Sequence, residues 1–304
     1  MFVKFITKFT LAGLSIIISS PIANAQNFEA KHIVELKADG PNTGKSAHKL
    51  IRKAFGDRAL ETPDLYESNH TEMPHIIEES DDIIGPHFVF LMHRDEDQDR
   101  DKGATDRQRN EIKTYDKSKR RLKGYEGETV QYEWKFKIDE GFAFSKNFTH
   151  FFQIKAKNLS KGPASKDSDS FPIITFTGST SSQNATVFQL RHSPSLDKNG
   201  KRVKFSKLVE QDMSLYTGQW IEFFVQTTYA NEGQLIVKAK NIETGEVLID
   251  FQDNNIDMWR GESNKDFARP KWGIYRSLKD KDNLRSEEET ARFADFTLRK
   301  GTIK

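Results

Sequence analysis

The stretch RPKWGIYRS, residues 269–277, decides how this chain is read. As a β-strand it puts Lys271, Gly273, Tyr275 and Ser277 on one face and Trp272, Ile274 and Arg276 on the other, because side chains alternate across a pleated strand. The tryptophan and isoleucine are there to be buried. The opposite face carries an ammonium and a phenol two strand repeats apart, with a glycine between them. Packing alone gives no reason for that second face.

Strand-like patterning runs outward from this segment. It is seen in RQRNEIKTY (107–115), TVQYEWKFKI (129–138), THFFQIKAK (149–157), IITFTG (173–178) and TVFQLRH (186–192), and again in WIEFFVQTTY (220–229), QLIVKAKN (234–241), VLIDFQ (247–252) and ARFADFTLRK (291–300). HFVFLMH (87–93) adds a short apolar run. The breaks, such as DKNGK and ETGE, are rich in turn formers. The 23 phenylalanines often alternate with polar residues, which favours half-buried strands. There is no internal repeat and no βαβ rhythm. The pattern predicts an all-β chain: a two-sheet antiparallel β-sandwich of the jelly-roll, concanavalin-like kind. Before it, HIVEL (32–36) reads as a first strand. The segment GPNTGKSAHKLIRKAFG reads as a short N-terminal helix, with apolar residues at 47, 50, 51, 54 and 55 and Gly56 beyond its end. From there to about Asp82 the chain is polar, contains Pro63 and Pro74, and reads as surface loop.

The first 25 residues have the form of a secretory signal: MFVKFITK is basic, FTLAGLSIII is apolar, and SSPIANA ends on a small-x-small cleavage site. Residues 26–304 are then expected to form one domain, secreted or periplasmic. No later run of about 18 apolar residues suggests a membrane helix. The chain has 47 Lys+Arg and 45 Asp+Glu, and the signal removes Lys4 and Lys8, so the mature chain balances at 45 against 45. That balance argues against nucleic acid as partner, and a site for a polyanion has to come from local clustering of bases. With no cysteine, zinc–thiolate sites, thiol nucleophiles and disulfides are excluded, and a core of about 280 residues supplies the stability.

Four of the strands carry a basic or amide face opposite an apolar or amide one. Arg107, Arg109, Glu111 and Lys113 share a face, as do Gln153 and Lys155, Gln189 and Arg191, and Lys271 and Tyr275. If the strands share a sheet, these residues form a cationic floor with a phenol in it. Arg, Gln and Tyr are the groups that grip a planar carboxylate and a sugar by directed hydrogen bonds.

At these residues the chain resembles the jelly-roll polysaccharide lyases, the superfamily that includes alginate lyases and the jelly-roll heparin lyase. Arg109-Asn110-Glu111-Ile112-Lys113 is similar to the strand pattern Arg-x-Glu-(Leu/Val/Ile)-Arg, with lysine for the last arginine. Gln153-Ile154-Lys155 stands where those enzymes carry Gln-Ile-His, so Lys155 replaces the histidine. Lys271-Trp272-Gly273-Ile274-Tyr275 is similar to Lys-x-Gly-(Val/Ile)-Tyr. The three motifs come in the family's order and cover roughly residues 87 to 298.

The resemblance implies β-elimination on a uronate polymer, an acidic polysaccharide partner and no required cofactor. Such a lyase removes the proton at C5, beside the carboxylate, and expels the oxygen at C4. The enolate-like charge that develops needs cationic and amide donors, for which Arg109, Gln153 and Lys155 are the right types, with Arg107, Gln189 and Arg191 as further contacts. Glu111 is expected to orient Arg109, or simply to form a cross-strand ion pair. Tyr275 is the expected general acid or base. A phenol needs nearby positive charge to release its proton near neutral pH, and Lys271 is expected to supply it, with Gly273 leaving room for the sugar. Strict alternation puts His150 and His192 on the core side, and a bulge would bring either into the cleft. His150 is therefore a second catalytic expectation.

In RDEDQDRDKG, Asp95, Asp97, Asp99 and Asp101 alternate. They are weighed as a structural Ca²⁺ site against a solvated loop of ion pairs. A monomer is expected. Two other functions fit parts of the pattern: a non-catalytic carbohydrate-binding module, which would not need Tyr275, and a sandwich-type glycoside hydrolase. The Glu-x-Asp-x-x-Glu strand of the latter is absent from the sequence.

Overall fold

Alternation dictates the sandwich. In Thr129–Ile138 the side chains of Val130, Tyr132, Trp134, Phe136 and Ile138 are buried, while Glu133, Lys135 and Lys137 stay partly exposed. The computed structural model describes residues 28–100, 104–159, 169–180, 185–197 and 199–304. The signal-like segment 1–25 and Asp101 lie outside them.

The elements are β1 (Phe28–Leu36), α1 (Ala47–Phe55), β2 (Leu60–Glu61), β3 (Ile76–Asp81), β4 (Gly85–Met92), β5 (Arg107–Lys113), β6 (Thr129–Ile138), β7 (Thr149–Lys157) and β8 (Ile174–Thr180), followed by β9 (Thr186–His192), β10 (Ser206–Asp212), β11 (Ile221–Thr228), β12 (Gly233–Asn241), β13 (Val247–Ile256), β14 (Phe267–Ser277) and β15 (Glu289–Ile303). They form two antiparallel sheets. One has the order β13-β12-β11-β6-β15-β4-β3, with β1 added along the C-terminal half of β15. The other has the order β10-β9-β8-β7-β14-β5-β2. The jelly-roll expectation holds.

An aromatic lattice fills the space between the sheets. Trp134 stacks on Phe223 at 5.3 Å and lies 4.6 Å from Phe152 and 6.0 Å from Trp272, centroid to centroid. Each such ring buried adds about 2–3 kcal/mol of transfer free energy. Helix α1 buries Ala47, Ile51 and Phe55, and Phe55 lies 5.9 Å from Trp272, closing one end of the core. It stops where Gly56 adopts φ 107°, backbone that a side chain would strain.

The segment read as loop after the helix contains β2 and β3. Strand β3 (IIEESD) pairs with β4 at a sheet edge and buries only Ile76, so its sequence lacks an apolar alternation. Strand β10 (SKLVEQD), at the other sheet's edge, escapes the pattern for the same reason.

Candidate active site

Strand pairing brings the predicted residues onto one face of the second sheet. Across β14 and β5, Lys271 pairs with Lys113, Gly273 with Glu111 and Tyr275 with Arg109. Across β14 and β7, Lys271 pairs with Gln153 and Arg269 with Lys155. Between Trp272 and Tyr275 the register shifts, so that Tyr275 pairs with His150. Strand β7 leaves alternation at the same place: Phe151 and Phe152 are consecutive and both buried in the core, and against β8 one β7 residue is extra between His150 and Phe152. Alternation breaks at this bulge, and His150 moves to the face of Tyr275, not the core side that strict alternation gives it. Gly273 also departs from expectation. It has φ 138°, and a Cβ there would stand 2.1 Å from the Asn110 carbonyl oxygen. The close approach of β5 requires the glycine by itself.

Beneath the surface of this face lies a cluster of ion pairs. Lys271 Nζ donates to Glu111 Oε2 at 2.6 Å and lies 2.7 Å from Glu61 Oε2. Lys113 Nζ donates to Glu61 Oε1 at 2.5 Å. Arg109 donates to Asp99 Oδ1 at 2.6 Å and to Glu111, which also accepts from Gln153. Arg109, Lys113 and Lys271 thus meet three carboxylates, Glu61, Asp99 and Glu111, and a fourth, half-exposed cation, Arg100, reaches Asp99 at 3.2 Å and Glu61 at 3.4 Å. Burial pushes the Glu61 carboxyl up, but Lys271, Arg109 and Lys113 outweigh it and hold it well below the usual carboxylate range. Lys271 is therefore engaged by carboxylates and does not reach the phenol, correcting the expected Lys271–Tyr275 pair. The Tyr275 hydroxyl instead accepts from Arg107 Nη1 at 3.0 Å, and the Arg109 guanidinium lies over the Tyr275 ring at 3.8 Å. Asp106 holds Arg107 through two of its other nitrogens.

An open depression of about 370 Å³ lies beside this cluster. Tyr275, His150, Arg107, Arg191, Arg202 and Lys279 are among its lining residues. A second of about 400 Å³ continues it, sharing Asn147, Arg191 and Phe205 and reaching Gln189. Gln189 donates to Glu210 and accepts from Arg191 Nε at 2.6 Å. Arg191 is lowered by burial, opposed by Glu210, to about 10, and so stays cationic at neutral pH. Lys155 Nζ reaches the Ser170 carbonyl at 3.3 Å. Burial, with Lys271, Arg109 and Arg269 adding to it, pulls Lys155 down to about 7.

The state of His150 follows from its neighbours. Thr177 Oγ1 donates its single hydrogen to Thr175 Oγ1 at 2.8 Å, so at 2.8 Å from His150 Nδ1 it can only accept. Nδ1 therefore carries the proton and Nε2 keeps a lone pair. Burial, with Arg191, Arg109, Lys155 and Lys271 around it, holds His150 well below its ordinary value and hence neutral. His192 is elsewhere: it is buried, with Nε2 on the Asp257 carbonyl at 2.7 Å.

Of the aspartates considered for calcium, the three that are described do not converge, and Asp101 lies outside the described residues. Asp95 pairs with Arg94 and Lys281, Asp97 faces histidines, and Asp99 pairs with Arg109. Sequence reasoning missed Glu61, Arg202, Thr175 and Thr177. For Arg202 a signal existed: KNGKRVKFSK, residues 198–207, carries five bases and no acid.

The fold is thus a jelly-roll sandwich that carries a cation-lined trough on one sheet. The chain belongs to the polysaccharide lyase family, whose model matches residues 83–294, and it is a lyase. No curated protein matches it in sequence. Among solved structures it is similar to an endo-β-1,4-glucuronan lyase from the fungus Trichoderma reesei, with 14% identity over 90% of this chain and 96% of that one and a TM-score of 0.51. It is also similar to a PL-14 alginate lyase from Aplysia kurodai, at 8% identity over 87% and 97% of the two chains, TM-score 0.53. A third is the alginate lyase Aly36B in complex with alginate trisaccharide, at 10% identity over 89% and 98%, TM-score 0.52. At these identities the structural likeness is one of fold.

Proposed function

We propose that this protein is an exported lyase that cleaves a uronate-containing polysaccharide by β-elimination in the trough beside Tyr275. The observation that carries the reading is the pairing of Tyr275 with His150 across the β7 bulge, two proton carriers on one wall of a basic trough. Arg191, Arg202 and Lys279 are placed to take the carboxylates of the polymer. The substrate's negative charge offsets the cations that hold His150 neutral, so the imidazole becomes a better base once substrate is bound. His150 Nε2 then accepts the C5 proton. The C5–H electrons form the C4–C5 double bond, the C4–O bond breaks, and Tyr275 gives its hydroxyl proton to the leaving oxygen. The Arg107 N–H on that hydroxyl stabilises the charge left behind. The elimination needs no cofactor and no second substrate. Alginate, glucuronan and other uronate polymers present the same C5 carboxylate, and the acidic trough ligand is proposed at that level.

Export rests on the signal-like character of residues 1–25. Among the described residues no helix is long and apolar enough to cross a membrane.

The test is ultraviolet absorbance on mixing the purified mature protein with a panel of uronate polymers, because elimination creates a conjugated double bond. Activity is expected on at least one polymer, with near-complete loss in Tyr275→Phe and retained binding. Wild-type turnover in Tyr275→Phe would remove Tyr275 as proton carrier. Binding to the polymers without any absorbance change would refute the proposed uronate chemistry.

A further inference from the structure

Away from the trough, three histidines and an aspartate converge where the loops flanking β3 and β4 meet. His70 and His75 precede β3, and His93 and Asp97 follow β4. His75 Nε2, His70 Nδ1 and Asp97 Oδ1 lie 2.9–3.1 Å from one another. One donor atom from each of the four residues falls within 4.8 Å of all the others. The three rings are nearly perpendicular, at 77–90°, with centroids 4.7–5.3 Å apart.

The outward nitrogens are each held by an acceptor. His75 Nδ1 lies 3.0 Å from the Met73 carbonyl, His70 Nε2 3.0 Å from Glu96 and His93 Nε2 2.9 Å from Glu288. With the outer nitrogens held in this way, the inner nitrogen of each ring is turned toward Asp97. Three ring nitrogens thus converge on one buried carboxylate. His93 Nδ1 is buried and makes no hydrogen bond, 3.4 Å from Asp97 Oδ2.

We propose that His70, His75, His93 and Asp97 form a closed structural site for a divalent transition-metal ion of the zinc type. Bonds of about 2.0–2.1 Å at tetrahedral angles place donor atoms about 3.3 Å apart, so the triad needs to open by only a few tenths of an ångström. Three imidazoles and one carboxylate select zinc over calcium, which prefers six or more oxygens. The outer carbonyl and carboxylates are the supporting shell that metal-bound histidines require. The site also explains why Asp97 is lost to any calcium site in its loop. The consequence reaches the trough: Gln108 Nε2 binds the His93, Arg94 and Asp97 carbonyls, and Asp99, two residues on, pairs with Arg109 over the Tyr275 ring. The ion would pin the loop that delivers Asp99.

The experiment is elemental analysis of the full, untagged protein purified from zinc-supplemented culture, with Co²⁺ exchange read by visible absorption. We expect close to one zinc per chain, intense four-coordinate cobalt bands, and a melting temperature that falls on chelation and recovers with Zn²⁺. Asp97→Ala and His75→Ala should lose the metal, while His32→Ala on β1 should keep it. Should the variants fail to fold, the wild-type stoichiometry and cobalt spectrum decide alone. Metal below about a tenth of an equivalent, with neither Zn²⁺ nor Co²⁺ changing melting or spectrum, would overturn the site. The histidines would then share protons with Asp97 instead.

Discussion

Replacing Glu61 by Gln tests whether the charged face is a buried ion-pair cluster or a row of cations waiting for substrate. Glu61 is 4% exposed and holds Lys113 at 2.5 Å and Lys271 at 2.7 Å, with Arg109 at 3.8 Å. The substitution keeps the shape and leaves Arg109, Lys113, Lys271 and the half-exposed Arg100 against two carboxylates. Lys271 retains Glu111 at 2.6 Å, whereas Lys113 loses its one ionic partner here. Removing one member of a buried pair costs about 3–5 kcal/mol. An amide oxygen still accepts a hydrogen bond and Lys113 is partly exposed, so about 2–3 kcal/mol is expected. That is about 30- to 150-fold in the folded-to-unfolded ratio, read as a lower urea midpoint at unchanged slope. The pH dependence has a definite sign. Glu61 sits well below its unfolded value of 4.5, so its contribution is full above that value and disappears as pH falls through the folded one. The wild-type advantage over Glu61→Gln should therefore shrink in acid. A loss below about 0.5 kcal/mol at pH 7 would mean that the pairs behave as exposed ones, and the buried-cluster reading would fail.

Two further outcomes bear on the trough. Thr177→Val removes the acceptor that fixes the His150 tautomer; kcat should fall about 10- to 100-fold with KM within about threefold, as for loss of a positioned base, and an unchanged kcat would remove His150 from proton transfer. Arg202→Ala should raise KM about tenfold or more by removing one charge-assisted contact, and should flatten the dependence of KM on salt; equal KM and equal salt dependence would show that the polymer does not reach Arg202.

Much of the fold was legible because a half-buried strand writes its burial into alternate positions. Trp272 and Ile274 inward with Lys271 and Tyr275 outward is correct as read. The partner of Lys271 was not legible. Four residues along a strand span about 13 Å, whereas a residue on the neighbouring strand lies about 5 Å away. Lys271 and Tyr275 are close in sequence and far apart on the strand. Glu111, on β5, and Glu61, on a two-residue strand with no pattern of its own, are the true neighbours. The same limit hid His150. A one-residue bulge reverses which face a side chain takes, and the only written sign was the Phe151–Phe152 doublet, two large apolar residues where alternation allows one. The β10 edge and its basic approach were missed because an edge strand buries too little to show a period.

The two tiers of the face divide the work between them. A cation free to meet a polymer carboxylate has to stay hydrated and unpaired, and one that fixes the geometry of a buried face has to be paired. Arg202, exposed and with no carboxylate partner among the described residues, belongs to the first kind; Lys113 and Lys271 belong to the second. Arg109 joins the tiers, because its nitrogens are spent on Asp99 and Glu111 while its flat face lies on the Tyr275 ring. A guanidinium can do both at once, since its hydrogen bonds lie in its plane and its stacking surface is perpendicular to it; an ammonium cannot. Arg109→Lys would keep the charge and lose the stacking. The position of the phenol is thus set by the ion-pair cluster beneath it. Its hydroxyl is left to Arg107 and the trough.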